Sequence, residues 1–450
     1  WKHGFVAETF AAIECPVFAV NGWADGDTNE VFRLMRELKA PHRGLIGRWG
    51  HHYPHLGLPD SSIGFLQECL RWRDTWLKGQ DTRILNEPML RVWMQDSVPP
   101  LHAYGARPGR WVGESCWPSP NIEQQHYHWI PGRLAVRSRP AAEKALSIQS
   151  SLSVGLFAGP WCSFSATPDL PHDQRQEDGD ALVFDRALLA KSMEILGTPS
   201  LDVDVSANRA MAILAVRLSD VAPDKVTRVT YGLLNLTHHD SDEHPTSLMS
   251  GARYRVSIRL NYIAHAFPKH HRLRTAISTS YWPIARPPPE SARLTIYTGG
   301  SILALPVRPP RPDDSLITFP KAKSAPPAAT TTIAPRDYEW NVSLDLAQDT
   351  AMLEVVKDED AFRIENTRLE GYRKSLERYT YHSDDFDTVC GEISSTLSLK
   401  RDDWSITTVI HTALRSTATE FRRHAELDGY EGECCVFSRS CDKTIPRDLV

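Results

Sequence analysis

Two residues 26 positions apart have the types and the setting that acid–base chemistry requires. Asp25 lies in the run Asn21-Gly22-Trp23-Ala24-Asp25-Gly26, and His51 closes Gly47-Arg48-Trp49-Gly50-His51; both runs follow apolar stretches of strand length. A histidine on a loop at the carboxyl edge of a sheet is placed to take a proton from a serine hydroxyl. An aspartate one strand earlier holds the Nδ1–H of that histidine and stabilises the imidazolium that forms. Taken singly, a Gly-x-x-Asp-Gly run is most often a turn and a lone histidine most often a surface residue. Acid then histidine, each after a strand, reads as two members of a catalytic triad, with Asp25 as acid and His51 as base. Where the chain order is nucleophile, acid, histidine, the serine belongs upstream of Asp25. Residues 1–24 contain no serine, the first in the chain is Ser61, and the chain opens on Trp1. The expectation is a C-terminal portion of an enzyme that carries acid, base and accessory domains but not the nucleophile.

The surrounding pattern supplies elements able to position the pair. Residues 15–20 form a short apolar run ended by Asn21-Gly22, the signature of a strand buried on both faces. Thr28 is then expected to cap a helix carrying Val31, Phe32, Leu34, Met35 and Leu38 at helical spacing, stopped by Pro41. A second strand through residues 43–47 leads to His51. A further helix is expected from near Asp60, with Ile63, Leu66, Leu70 and Leu77 on its packed side and Gly79 at its end. This strand-helix-strand-helix order predicts the C-terminal edge of an α/β-hydrolase-type, doubly wound sheet over residues 1–82. Residues 83–318 change character to short alternating stretches, such as 90–94, 201–205, 212–216 and 254–258, which predict an antiparallel β-sandwich. Residues 319–336, rich in Pro, Ala and Thr, read as a linker. Residues 337–450 are again β-patterned, with 406–414 and 420–427 as neighbouring strands and a turn at Asp428-Gly429.

Composition narrows the function classes. With 450 residues, 41% apolar and 24% charged, the chain suits a globular protein of two or three domains. A net charge of -5 gives no reason to expect nucleic acid, and no apolar run reaches the roughly 20 residues that span a bilayer. The eight cysteines include no Cys-x-x-Cys pair, so reduced thiols and a cytoplasmic location are expected. Rival sites are weaker than the triad pair. His51, His52 and His55 have metal-like spacing, but Pro54 breaks the helix on which they would converge. The group His238, His239, Asp240, Asp242, Glu243 and His244 reads as a strand-to-strand loop. Trp111, Trp117, His126, Tyr127, His128 and Trp129 read as core packing ahead of a pocket lining. Cys15 is taken as an inert residue at the start of a buried strand.

The runs Gly22-Trp23-Ala24-Asp25-Gly26 and Gly47-Arg48-Trp49-Gly50-His51 resemble the acid and histidine motifs of the CocE/NonD hydrolases. That family includes cocaine esterase, X-prolyl dipeptidyl-peptidases and α-amino-acid ester hydrolases. The resemblance continues through residues 180–184, 193–197, 216–221, 230–234 and 271–278, which look like strands of the family's C-terminal jelly roll, and covers about residues 1–312. It implies a galactose-binding-like jelly roll beside the hydrolase edge and a serine hydrolase acting on an ester or X-Pro peptide through an acyl-enzyme. Asp25 and His51 would be the catalytic pair, with no cofactor, no metal, a small-molecule partner and room for a homo-oligomer. In relatives that act on amino-acid esters, acidic residues just after the triad acid bind the substrate ammonium; Asp27 is the position here that matches. Three departures stand out. The nucleophile motif Gly-x-Ser-x-Gly is absent, the nearest run being Gly113-Glu114-Ser115-Cys116-Trp117; Arg48 replaces the usual proline; and Thr28 follows Asp27. The alternative from another class is a β-sandwich module that binds a carbohydrate-like ligand without catalysis.

Overall fold

The computed structural model describes residues 6–59, 62–136, 142–163 and 169–450. Three parallel strands carry the N-terminal part: β1 (Val17–Ala24), β2 (His42–Gly50) and β3 (Leu90–Asp96), with α1 (Thr28–Glu37) between the first two and α2 (Phe65–Lys78) between the last two. β4 (Gly109–Glu114) adds antiparallel to β3. The helical spacing of α1 works as the pattern requires. Val31, Phe32 and Met35 are buried against Ala19, Ile46, Leu90 and Val92, each large side chain contributing about 1.5–3 kcal/mol.

Local expectations fail where a long-range partner takes over. β1 is half-buried along most of its length rather than enclosed on both faces, because it ends the strand order among the described residues. Cys15 lies before it and is exposed. Thr28 does not cap α1; its hydroxyl donates to the carbonyls of Gly22 (2.6 Å) and Asp25 (3.0 Å). Asp60 lies outside the described residues, and α2 starts at Phe65. Its leucines face outward, with Leu66, Leu70 and Leu77 exposed at 44%, 56% and 80%. The buried side of α2 instead carries Trp72 and Glu68. Glu68 tolerates burial because Arg91 of β3 and Arg71 bond its two oxygens at 2.9 and 2.7 Å. Gly79 ends the helix as expected, at φ +63°.

From β3 onward the chain is mostly strand. Sixteen strands, β1 to β4 included, form one hydrogen-bonded network among the described residues, joined where β3 runs parallel to Ile263–Phe267. The expected stretches lie on strands Ser200–Ala207, Ile213–Val221 and Arg253–Arg259. Their core gathers Tyr127, Trp129, Leu201, Leu214, Ile277 and Leu303. Trp129 stacks on Phe184 at 4.1 Å, so Tyr127 and Trp129 pack as core residues. Arg308, fully buried, is held by Glu114 (2.6 Å) and Asp314 (2.7 and 2.9 Å).

Two corrections concern the C-terminal third. Part of the stretch expected as a linker is ordered by backbone bonding: the Gly64 amide donates to Pro320 at 2.7 Å, Phe319 lies 4.6 Å from Trp111, and Thr330–Ala334 pairs with Ala361–Ile364. The strand Glu420–Glu431 also runs through Asp428-Gly429, both residues staying paired with Val409 and Thr408 on one side and with Ser438 and Phe437 on the other. The turn falls instead at Gly432, φ +57°. These strands belong to a nine-stranded sheet, one face of which sets Leu353, Val355, Tyr381 and Val389 against Leu152, Leu156 and Trp282.

Candidate active site

Ala24 and Gly50 face each other as the last paired residues of parallel β1 and β2, past an irregularity after Gly22. The next residue on each strand is therefore delivered to the same place. Asp25 Oδ2 accepts from His51 Nδ1 at 2.9 Å, the Asp25 side chain being 5% exposed and that of His51 52%. The other carboxylate oxygen, Oδ1, accepts the Asp27 amide at 2.9 Å. With both oxygens engaged and the Asp25 carbonyl held by Thr28, the turn is fixed at three points. Close packing dictates its glycines. A Cβ on Gly22 would stand 1.9 Å from the Trp49 carbonyl oxygen, and one on Gly26 would stand 2.7 Å from the Trp161 ring.

Residues 160–163, distant in sequence, come to this turn. The His51 amide donates to Ser163 O at 3.1 Å, Trp161 covers Gly26, and the Gly26 amide hydrogen-bonds Cys162. One potential ligand atom each from Asp25, His51 and Cys162 lies within 4.8 Å of the other two. Burial pushes the Cys162 thiol up, and the carboxylates of Asp25, Asp27 and Asp169 push the same way against the Gly26 hydrogen bond. Sequence reasoning missed this segment. No local signal ties residue 162 to residues 25 and 51, since only the tertiary fold joins them. The other groups weighed from sequence do not converge: among the described residues the Asp25, His51 and Cys162 group is the only such cluster, and neither residues 238–244 nor His52 and His55 form one.

Asp25 and Asp27 line a cleft of about 430 Å³ whose other walls come from the β-rich part, including Tyr104, Arg107, Tyr231 and His265. Asp27 is exposed there, separate from the Asp25–His51 contact. Arg48 is fixed against the cleft, its guanidinium 3.7 Å from the centre of the Trp93 ring and its Nη1 donating to Arg107 O at 3.1 Å. Asn29 of α1 bonds both Asn261 (2.9 Å) and the Tyr262 amide (2.9 Å), which ties the two walls together. Behind the cleft, Asp220 accepts from His271 (2.8 Å) and His265 (3.3 Å). Burial lowers the affinity of His265 for a proton below the ordinary histidine range. Burial also works to raise the Asp220 carboxyl, but hydrogen bonds from His265, Ser97 and His271 together hold it below the usual carboxylate range.

Residues 83–325 match the family model of the X-Pro dipeptidyl-peptidase C-terminal non-catalytic domain, and residues 1–53 match that of X-Pro dipeptidyl-peptidase (S15 family). The chain belongs to the CocE/NonD and X-Pro dipeptidyl-peptidase family of hydrolases. A curated relative, cocaine esterase of Rhodococcus sp. (strain MB1 Bresler), is 22% identical over 307 residues, covering 63% of this chain and 52% of the relative. This chain thus spans about half the length of that relative. Among solved structures, a CocE/NonD family hydrolase from Staphylococcus aureus matches with TM-score 0.52 at 15% identity, covering 66% of this chain and 55% of that one. An α-amino acid ester hydrolase matches with TM-score 0.54 at 16% identity, covering 68% and 58%. At these identities the structural likeness is one of fold. The family boundary falls inside the site, for Asp25 and His51 lie in the S15-matching segment whereas Cys162 and His265 lie in the segment matched as non-catalytic.

Proposed function

We infer that this chain supplies the acid and the base of a serine hydrolase acting on esters or X-Pro peptides, with the nucleophile and oxyanion donors carried by residues outside it. The observation that carries this reading is the 2.9 Å bond from His51 Nδ1 to Asp25 at the carboxyl ends of two adjacent parallel strands. That bond fixes the imidazole so that its other nitrogen, Nε2, is the one to serve a nucleophile. His51 would take the serine proton as the acyl-enzyme forms and return it to the leaving group, and Asp25 would stabilise the imidazolium in between. Support for the nucleophile's lying elsewhere comes from the absence of Gly-x-Ser-x-Gly and from the half-length match to the curated relative. In this reading residues 1–82 are the C-terminal part of the hydrolase domain and 83–318 a jelly roll that walls the cleft, followed by the 319–336 stretch and the β-rich region 337–450. Asp27, exposed in the cleft, is the group proposed to meet a substrate ammonium.

The test is steady-state hydrolysis of p-nitrophenyl acyl esters and X-Pro p-nitroanilides by the chain extended with whatever its gene encodes ahead of Trp1. Turnover that falls roughly 10³-fold or more in both Asp25→Asn and His51→Ala, with folding intact, is the expected result. Turnover retained in either variant overturns the assignment.

A further inference from the structure

The geometry points to a binding site for a soft divalent cation, zinc being the best match, formed by Asp25, His51 and Cys162. The three side chains offer oxygen, nitrogen and sulfur, the donor types that zinc takes up together. A tetrahedral zinc with bonds of 2.0–2.3 Å holds its ligands about 3.3–3.6 Å apart. The three candidate atoms already lie within 4.8 Å of one another, so adjustments of about an ångström assemble the set. Each ligand is also held in place independently. Asp25 is fixed by the Asp27 amide. The His51 backbone is anchored on Ser163 O, and Cys162 is oriented by the Gly26 amide beneath Trp161. On binding, the thiol proton leaves to solvent and the thiolate becomes a ligand, with water completing the fourth position. Three protein ligands and a water are the usual arrangement of an open zinc site.

This site competes with the proposed chemistry, because a metal on His51 and Asp25 removes the base from the triad. Zinc would therefore act as a reversible inhibitor. That consequence rests on the triad reading; the binding itself does not.

The experiment is an optical titration of the chain with cobalt(II), which reports thiolate ligation through a sulfur-to-metal charge-transfer band, followed by displacement with zinc. Because Cys15, Cys116, Cys434, Cys435 and Cys441 are exposed, it is run in a background where those five are serine. One equivalent of cobalt with a thiolate band, lost in Cys162→Ser and weakened at least tenfold in His51→Ala, is the result expected. Absence of the band, or a band indifferent to Cys162→Ser, overturns the proposal. Circular dichroism of the near-isosteric Cys162→Ser chain separates loss of a ligand from loss of fold. Hydrolysis plays no part in this readout, so it can fail while the triad reading stands, and the reverse.

Discussion

One register pair, Ala24 opposite Gly50, decides the geometry at the residue scale, since it hands Asp25 and His51 to each other at 2.9 Å. Gly26 holds the next contact. In Gly26→Ala the new methyl meets the Trp161 ring at 2.7 Å. The indole must then swing away from Gly26, whose amide bonds Cys162, and the thiol is expected to react faster with a disulfide reagent than in the parent chain; an unchanged rate would count against this packing. His265 and Asp220 set an acid limit on stability. The unfolded chain protonates His265 below about pH 6.5, while the folded chain resists until a lower pH. Stability attributable to this histidine is therefore complete above that value and declines as pH falls through the window beneath it. Asp220 adds a decline in the same direction below the ordinary aspartate range. Thermal unfolding at pH 7.5 and 5.5 should show a drop for the parent chain and a smaller one for His265→Gln. The Asp25–His51 contact was legible in the sequence because each residue sits immediately after its own strand. Trp161, Cys162 and the cleft-wall residues were not, for their roles depend only on contacts made across the fold.

Elements were legible where local pattern and tertiary partner agree. α1 is such a case, with its apolar stripe facing the parallel strands. α2 is the opposite case: the leucine spacing pointed to a packed face, but the helix turns toward Arg91 and buries Glu68 instead. Periodicity cannot register a charge partner on another strand. The outward leucines predict tolerance, so Leu66→Gln, Leu70→Gln and Leu77→Gln should each change unfolding free energy by within about 0.5 kcal/mol in denaturant titrations. A larger loss would mean that something packs on that face. Arg308 has the reverse expectation. Arg308→Met leaves Glu114 and Asp314 buried without their cation, at a cost of about 3–5 kcal/mol. The turn expected at Asp428-Gly429 gives way to long-range pairing, because both residues are held in ladders on both sides and the left-handed backbone falls at Gly432.

Among the described residues the two sheets meet at an apolar seam, where Trp282, 3% exposed, packs with Leu152 and Leu156 against Leu353, Val355 and Tyr381. Trp282→Ala is expected to cost about 3–5 kcal/mol and to uncouple the nine-stranded sheet, seen as a second unfolding transition by calorimetry. The last strand, Cys434–Pro446, is exposed along its length and pairs on one side only among the described residues. Bare edges of this kind promote association, and Phe437→Lys should lower light scattering on concentration without lowering the unfolding midpoint. The sequence pattern made the β-rich character of this third readable, but not the seam, whose two sides lie far apart along the chain. At the same scale we propose a split hydrolytic machinery, with Asp25 and His51 as acid and base here and the nucleophile outside this chain. Its most direct test is labelling with a fluorophosphonate probe, on this chain alone and on the chain with its encoded upstream sequence, followed by peptide mass spectrometry to locate the adduct. The expected result is an adduct only in the longer protein, on a serine ahead of Trp1, abolished by His51→Ala. An adduct on this chain alone, at a serine beyond His51, would contradict the account.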